Sequence, residues 1–188
     1  MKKYTVAIII FLFGLFIFSS KRIDKNTNDN FVTTIADTQE KEKISEFTTK
    51  FNKKSFGRAE NIRLAAKAID EKEIKPGETF SYNNVVGPTT KENGYKMAQI
   101  FVKGKKKKGY GGGVCQVSST LYNAVLGADL DVTERHSHSK KVYYVQEDKD
   151  AATAYGGIDF KFVNNKDYTI KINSYIYDDT ITVALYKA

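Results

Sequence analysis

The sequence is poor in cysteine, histidine and proline, and each shortage excludes a class of protein. Its 188 residues include one cysteine, two histidines and two prolines. A single cysteine rules out a disulfide within the chain, and with two histidines it cannot supply the four ligands of the usual Cys/His zinc site. So little proline, beside 12 tyrosines and 12 phenylalanines, excludes collagen-like and low-complexity chains. We therefore predict neither a metal nor another cofactor.

The remaining composition is typical of one folded domain with short appendages. Hydrophobic residues make up 41% of the chain, which is enough for one core, while the length is too short for two comfortable domains. The net charge of +8 predicts an anionic partner, but nucleic acid, lipid headgroups and wall polymers would all be attracted by it. The lysine-rich run of residues 103–108 is either a solvated hairpin tip or a specific site for such a polyanion.

The N-terminus has the form of an export signal, which helps to choose among these partners. Lys2 and Lys3 precede the apolar run of residues 4–18, YTVAIIIFLFGLFIF. As a helix this run would span roughly 22 Å, which is marginal for a hydrocarbon core about 30 Å thick. No clear small-x-small cleavage site follows, so residues 1–20 are predicted to be an uncleaved signal anchor, with a removed signal peptide as the alternative.

The rest of the chain is predicted to lie outside the cytoplasm. Residues 21–41 are polar and aperiodic, which predicts a flexible tether, and residues 42–188 form the predicted domain. The protein would contact the membrane through its N-terminal helix. Because nucleic acid is scarce outside the cytoplasm, peptidoglycan or another anionic wall polymer is the expected partner, and no nucleic acid is expected.

Hydrophobic periodicity predicts two principal helices and a β-rich C-terminal half. After Ser55, apolar residues recur at helical spacing from Ile62 to Ile69, and a second helix is predicted from Cys115 to Leu126 with Gly127 just past its end. A turn at residues 177–179 predicts a closing hairpin. We therefore expect an α+β fold in which the helices pack on a mostly antiparallel sheet. Strands are predicted over residues 98–102, 131–138, 141–145, 158–163, 168–176 and 180–186.

The single cysteine lies where a run of glycines meets the predicted start of a helix, in GYGGGVCQVSST over residues 109–120. Glycines let backbone N–H groups approach a ligand, and the first turn of a helix favours a thiolate through its macrodipole. The dipole contributes only about 0.3–1 kcal/mol, which does not ionise a thiol near neutral pH. A reactive Cys115 therefore requires a neighbouring imidazole, and without one it would be a small packing residue.

Both histidines lie in TERHSHS, residues 133–139, within the strand predicted over residues 131–138. Alternation along a strand places Glu134, His136 and His138 on one face and Arg135 on the other. This row offers possible base and orienting groups for Cys115. Two histidines on an exposed strand are equally compatible with a solvated surface, so the spacing permits a Cys/His pair without establishing one.

At these motifs the sequence resembles the VanW family, named for a protein encoded beside some vancomycin-resistance determinants. The resemblance covers about three quarters of the chain and is most specific at GYGGGVCQVSSTLYNA (109–124) and ERHSHSKKVYYV (134–145). Some proteins with this domain are regarded as L,D-transpeptidases of peptidoglycan. The resemblance therefore implies an enzyme whose thiolate takes the acyl group of a tetrapeptide stem, releases D-alanine, and passes the acyl group to an amine of a neighbouring stem.

The resemblance also implies which residues carry the reaction. Cys115 is the implied nucleophile and His138 the implied general base. The other implied members of the site are His136 as the second candidate base, Asp150 or Asp159 as the orienting carboxylate, Gly111, Gly112, Gly113 and the amide of Gln116 as oxyanion donors, and Tyr110 and Arg135 as substrate contacts.

Three other functions remain compatible with the sequence. The same Cys/His pair would make the protein a carboxypeptidase or amidase if water accepted the acyl group. A non-catalytic wall-binding module is possible if Cys115 only packs in the core. A nucleic-acid binder suits the charge but requires a cytoplasmic chain, which the export signal disfavours.

Overall fold

The computed structural model describes residues 42–102 and 105–188, which is nearly all of the predicted domain. The anchor or signal peptide predicted over residues 1–20 and the tether predicted over residues 21–41 lie outside the described residues. In the described ranges, none of the helices has the length and apolar character needed to cross a bilayer.

The described residues form three helices and nine strands, which confirms the predicted α+β class. The helices are α1 (Phe56–Ile69), α2 (Tyr82–Val86) and α3 (Val114–Gly127). The strands are β1 (Lys43–Lys50), β2 (Glu73–Ile74), β3 (Thr79–Ser81), β4 (Met97–Val102), β5 (Lys105–Tyr110), β6 (Asp131–Glu134), β7 (Lys161–Val163), β8 (Ile170–Tyr177) and β9 (Thr180–Lys187).

The strands form three antiparallel sheets. The largest has four strands in the order β1-β9-β8-β2, the second has three in the order β3-β7-β6, and β4 and β5 form a separate hairpin. The predicted closing hairpin is confirmed, because Tyr177 pairs with Thr180. Asp178 has φ of 50° in its turn, a left-handed conformation that aspartate tolerates better than most residues.

The two long helices pack against the four-stranded sheet and against each other, and this packing forms the core. On α1 the apolar positions of the predicted stripe are buried, with Ile62 and Ile69 fully enclosed. On α3, Val117 and Leu121 are fully enclosed as well. Burying one such side chain stabilises the fold by about 1.5–3 kcal/mol, so these residues hold both helices against the sheet.

The segment that follows α3 departs from the predicted strands. Strand β6 ends at Glu134 instead of continuing to residue 138, and residues 141–145 form no strand. The chain leaves the sheet because the amide of His138 donates to a carboxylate oxygen of Asp150 at 2.7 Å instead of to a neighbouring strand. Similarly, the strand predicted from residue 158 begins only at Lys161. The predicted alternation of side chains over residues 134–138 is therefore wrong.

Candidate active site

The glycine turn before α3 fixes the position of the cysteine. Gly113 has φ of 114°, which disfavours any residue with a Cβ atom, and a Cβ on Gly112 would lie 2.4 Å from the carbonyl oxygen of Gln99. Asn61 on α1 donates to the Gly112 carbonyl at 3.0 Å, and the buried Tyr82 hydroxyl donates to the Val114 carbonyl at 3.0 Å. The turn is thus held from α1 and α2, and α3 begins at a defined place.

The half-buried Cys115 is the second residue of α3, and its sulfur contacts two other segments. The thiol lies 3.4 Å from the carbonyl oxygen of Thr153 and 3.8 Å from its hydroxyl. The imidazole of His138 is also near enough to the sulfur for each side chain to shift the pKa of the other. The only cysteine of the chain therefore lies beside a histidine, as a reactive thiol requires.

His138 is held in place by a buried carboxylate. Its Nδ1 lies 2.5 Å from Oδ2 of Asp150, and the same oxygen accepts the His138 backbone amide. The other carboxylate oxygen accepts from the Arg135 guanidinium at 2.8 Å. Because Nδ1 faces Asp150, the imidazole presents Nε2 to the sulfur. Cys115, His138 and Asp150 thus follow one another as a nucleophile, a base and an orienting acid would, and Arg135 holds the acid from its far side.

The electrostatics of this row shift both Cys115 and His138 toward the thiolate–imidazolium form. Burial disfavours the Cys115 thiolate, but the hydrogen bond and charge of His138, together with the Thr153 contacts, outweigh it and lower the pKa of the thiol. Burial also disfavours the imidazolium, yet the contacts with Cys115 and Asp150 raise the pKa of His138 above its ordinary value. Burial raises the pKa of the Asp150 carboxyl, but the hydrogen bonds and charge of His138 and the charge of Arg135 outweigh burial and lower this pKa.

Helix α3 also holds the loop that carries Asp150 and Thr153. The hydroxyl of Ser118 donates to the Ala151 carbonyl at 2.6 Å, and the Ala151 amide donates to the hydroxyl of Ser119 at 2.9 Å. One turn further, Asn123 donates to the Lys149 carbonyl at 2.7 Å. Cys115 and the side chains that bind the Asp150 loop therefore belong to the same helix. This keeps the distance between Cys115 and that loop fixed.

The first turn of α3 contains an amide that is available to an oxyanion. The Val114 amide donates to the Gly111 carbonyl at 3.0 Å, and the Gln116 amide donates to the Gly113 carbonyl at 2.9 Å. Among the described residues no acceptor is bound to the amide of Cys115 itself. The donor predicted at Gln116 is thus already occupied, whereas the nucleophile's own amide is available.

Two predicted site residues lie in a second polar cluster. His136 Nε2 lies 3.1 Å from Oε1 of Glu134, and the other Glu134 oxygen pairs with Lys161 at 2.8 Å. The hydrogen bonds from Lys161 and from the Asp159 amide lower the pKa of Glu134 to about 2. The Asp159 carboxylate accepts from the Ser81 hydroxyl at 2.6 Å. Within the described ranges, no hydrogen bond joins His136 or Asp159 to Cys115 or His138.

The remaining predicted residues have other positions. Tyr110 ends β5 with an exposed ring, and Gln116 is buried with its side-chain amide bonded to the backbone of Lys50. Arg135, predicted as a substrate contact, binds the Asp150 carboxylate and lies over the ring of Tyr122, 5.4 Å from its centre. In the described part of the chain, no group of three or more His, Cys, Asp or Glu side chains could hold a metal ion.

Three residues beside the nucleophile were not predicted. Thr153 contacts the sulfur, and the Tyr144 hydroxyl lies 3.4 Å from the Cys115 carbonyl, where burial and the charge of Cys115 raise the pKa of the phenol. Arg58 of α1 reaches the same region. Tyr144 lies within the motif of residues 134–145, but nothing in the sequence singles out Tyr144 or Thr153 from its neighbours. Arg58 does stand out, because it is a charged residue on the apolar stripe of α1, four positions before Ile62.

A comparison with known proteins assigns the family. Residues 57–186 match the family model described as VanW like protein. The chain belongs to the VanW-like family. This confirms the resemblance found in the sequence, and the matched region contains every contact of Cys115, His138 and Asp150 described above. No solved structure matches the chain.

Two curated relatives extend this assignment. The chain is 44% identical over 147 residues to YoaR of Bacillus subtilis (strain 168), a protein described as uncharacterized, covering 78% of this chain and 48% of that protein. It is 34% identical over 126 residues to the vancomycin B-type resistance protein VanW of Enterococcus faecalis (strain ATCC 700802 / V583), covering 64% of this chain and 46% of that protein. The VanW-like chain thus spans about half the length of these relatives.

The alkylation of Cys115 tests the contact with His138. In the wild type we expect the rate of alkylation by iodoacetamide to rise with pH. The midpoint of this rise should lie below 9.0, the ordinary pKa of a cysteine thiol, because the His138 imidazolium favours the thiolate. In His138→Gln the charge is lost while burial remains, so the midpoint moves upward and the rate at pH 7 falls by at least about tenfold. Measuring this single thiol by mass spectrometry gives both values.

The matched control is His136→Gln, two residues away in the same segment. It removes the other histidine and its contact with Glu134, so the alkylation midpoint of Cys115 should stay at the wild-type value. An equal shift in both variants, or in neither, contradicts the pairing of Cys115 with His138.

Proposed function

We propose that this VanW-like chain is a cysteine-dependent L,D-transpeptidase that acts on peptidoglycan stem peptides outside the cytoplasm. The observation that carries the proposal is the contact of the Cys115 sulfur with an imidazole whose other nitrogen is held by buried Asp150. The relative whose name refers to vancomycin resistance supports a role at the cell wall. The exposed lysines of β5, residues 105–108, support an anionic wall polymer as the partner.

The first half-reaction forms a thioester and releases D-alanine. The Cys115 thiolate attacks the carbonyl carbon of the third stem residue, and a sulfur–carbon bond forms. The amide of Cys115 donates to the oxyanion, and Thr153 lies beside the sulfur. The His138 imidazolium gives its Nε2 proton to the departing nitrogen as the carbon–nitrogen bond breaks. Asp150 and Arg135 keep the ring in one orientation throughout.

The second half-reaction transfers the acyl group. An amine of a neighbouring stem attacks the thioester carbonyl, and neutral His138 removes the proton of that amine. A new amide bond forms while the sulfur–carbon bond breaks, and the thiolate leaves with the imidazolium restored beside it. Water in place of the amine would give hydrolysis through the same steps, so the accepting group decides between transpeptidase and carboxypeptidase activity.

The direct test uses the purified full-length chain and disaccharide-tetrapeptide muropeptides. We expect dimers cross-linked between third residues, together with free D-alanine in equal amount, both measured by liquid chromatography and mass spectrometry. D-alanine without dimers at high acceptor concentration would assign a carboxypeptidase instead. Neither product, with wall binding unchanged in Cys115→Ala, would leave a binding module and overturn the proposal.

The proposed location has its own test, because Cys115 is the only thiol of the chain. In intact cells, a maleimide reagent that does not cross membranes should label the protein in an amount close to that obtained after lysis. The sulfur is half-buried, so labelling times are first set with the purified protein. Labelling that appears only after lysis would place the domain inside the cell and revive a nucleic-acid partner.

A further inference from the structure

Arg58 is a half-buried cation without an acidic partner. Its guanidinium donates through Nη2 to Oε1 of Gln116 at 2.8 Å. In residues 42–102 and 105–188, no carboxylate lies within ion-pair distance of it. The only hydrogen-bonded partner of Arg58 in these ranges is thus a neutral amide, and the planar guanidinium has five N–H groups to donate.

The guanidinium is fixed in position by buried groups. Gln116 is 1% exposed, and its own amide nitrogen donates to the Thr49 hydroxyl and to the Lys50 carbonyl, each at 3.0 Å. The Arg58 stem lies over the glycine turn, since its Cγ is 3.0 Å from the position that a Cβ on Gly113 would occupy. The charged end is therefore organised beside the first turn of α3 before any ligand arrives.

The guanidinium also lies within electrostatic reach of the nucleophile. Burial lowers the pKa of Arg58, whereas the charges of the Tyr144 phenol and the Cys115 thiol oppose this effect. Removing a cation from water is unfavourable unless an anion compensates for the lost hydration. Arginine binds carboxylates in a two-pronged geometry that an amide partner leaves unused. An anionic group brought next to the sulfur by a ligand would complete the site.

We propose that Arg58 binds the terminal carboxylate of the donor peptide and so restricts the reaction to the last peptide bond of the stem. The inference rests on the proposed function and adds to it the residue that recognises the chain end. One residue spans roughly 3.5 Å, so the carboxylate of a departing D-alanine lies one residue length from the attacked carbonyl. Arg58 lies within electrostatic reach of the sulfur and against the adjacent glycine turn, so its long side chain can meet this carboxylate. Peptides extended by a further residue would place their carboxylate beyond it.

The first test does not depend on transpeptidase activity. Iodoacetate and iodoacetamide both form a sulfur–carbon bond with loss of iodide, but only iodoacetate carries a carboxylate next to the reacting carbon. On the full-length chain we expect Arg58→Gln to lower the iodoacetate-to-iodoacetamide rate ratio by about tenfold, through loss of one charge-assisted contact. The ratio cancels any change in thiol ionisation, because both reagents require the same thiolate.

Arg63→Gln is the matched control on the same helix. Arg63 is exposed and pairs with Glu60, so its replacement should leave the ratio at the wild-type value. Arg58→Lys retains the charge and should keep part of the preference, which separates loss of charge from misfolding. If Arg58→Gln slows both reagents equally, Arg58 acts only as a counterion of the thiolate and the carboxylate site is refuted.

The second test uses stem peptides as donors. Wild-type kcat/KM should be higher for the tetrapeptide with a free carboxylate than for the same peptide with a terminal amide. Arg58→Gln should remove this preference, because its kcat/KM for the free acid should fall by about 30-fold or more while its kcat/KM for the amide stays unchanged. An equal loss on both donors overturns the inference. If the wild type reacts with neither donor while the iodoacetate preference persists, the proposed function fails and the carboxylate site stands.

Discussion

Replacing Cys115 with serine is expected to reduce dimer formation and D-alanine release by roughly 10⁴-fold or more, which is the usual scale for loss of a catalytic nucleophile. The site suits a thiol nucleophile, because His138 lowers the pKa of Cys115. A serine hydroxyl ionises far less readily than a thiol, and the contacts at position 115 do not make up for this lower acidity. Cys115→Ala should behave in the same way, because it removes the attacking atom. Product rates from muropeptide assays give the measurement.

The fold should survive this change. Cys115 is half-buried, and serine only replaces its sulfur with a smaller oxygen while it retains a donor for the Thr153 carbonyl. We therefore expect a thermal unfolding midpoint close to that of the wild type. Ser137→Ala is the control, since Ser137 is exposed between the two histidines. Activity of Cys115→Ala within tenfold of the wild-type rate would identify another nucleophile and exclude the mechanism.

The parts of the site that follow from local patterns could be predicted from the sequence. Glycines before an apolar helical stripe predicted where α3 begins and that Cys115 lies in its first turn. The same periodicity predicted α1, and β-branched runs predicted the closing hairpin of β8 and β9. These features depend on spacing within a few residues, which is what the hydrophobic pattern records.

The contacts between distant segments could not be predicted in this way. Alternation along a strand placed His136 and His138 on one face, but the strand ends at Glu134. The ring of His138 binds Asp150, whereas the ring of His136 binds Glu134. Both Asp150 and Asp159 were candidates for orienting the base. Only the packing of α3 against the loop of residues 149–153 distinguishes them, and that packing joins residues more than 25 positions apart.

Arg58 illustrates an intermediate case. A charged residue on an otherwise apolar helix stripe is a visible departure from the pattern of α1, because Ile62 and Ile69 on the same stripe are fully enclosed. The departure shows that Arg58 has a polar neighbour in the core, but the pattern does not identify it. The neighbour is Gln116, from the helix that carries the nucleophile.

Replacing Asp150 with asparagine is expected to lower kcat by roughly 10³- to 10⁴-fold, by analogy with the same change in a Ser-His-Asp triad. The carboxylate is 7% exposed and accepts from the backbone amide of His138, from its Nδ1 and from Arg135. An amide of the same shape either places an NH₂ group against His138 Nδ1 or turns it toward Arg135. In both cases the imidazolium loses its stabilising charge, so the pKa of His138 falls and the pKa of Cys115 rises. The pH range in which the enzyme is active should therefore narrow from both its acidic and its basic side.

The stability of Asp150→Asn should also fall, by about 1.5–3 kcal/mol, because Arg135 loses its charged acceptor. Asp159→Asn is the matched control for this loss. Asp159 is 4% exposed and accepts from the Ser81 hydroxyl and the Asn83 amide, so its replacement should destabilise the protein by a similar amount. It lies in the other polar cluster, and the folded Asp159→Asn variant should therefore keep kcat and the alkylation profile of Cys115. Equal kcat losses in the two variants would mean that Asp150 acts through stability alone, whereas a loss confined to Asp150→Asn assigns it the orientation of His138.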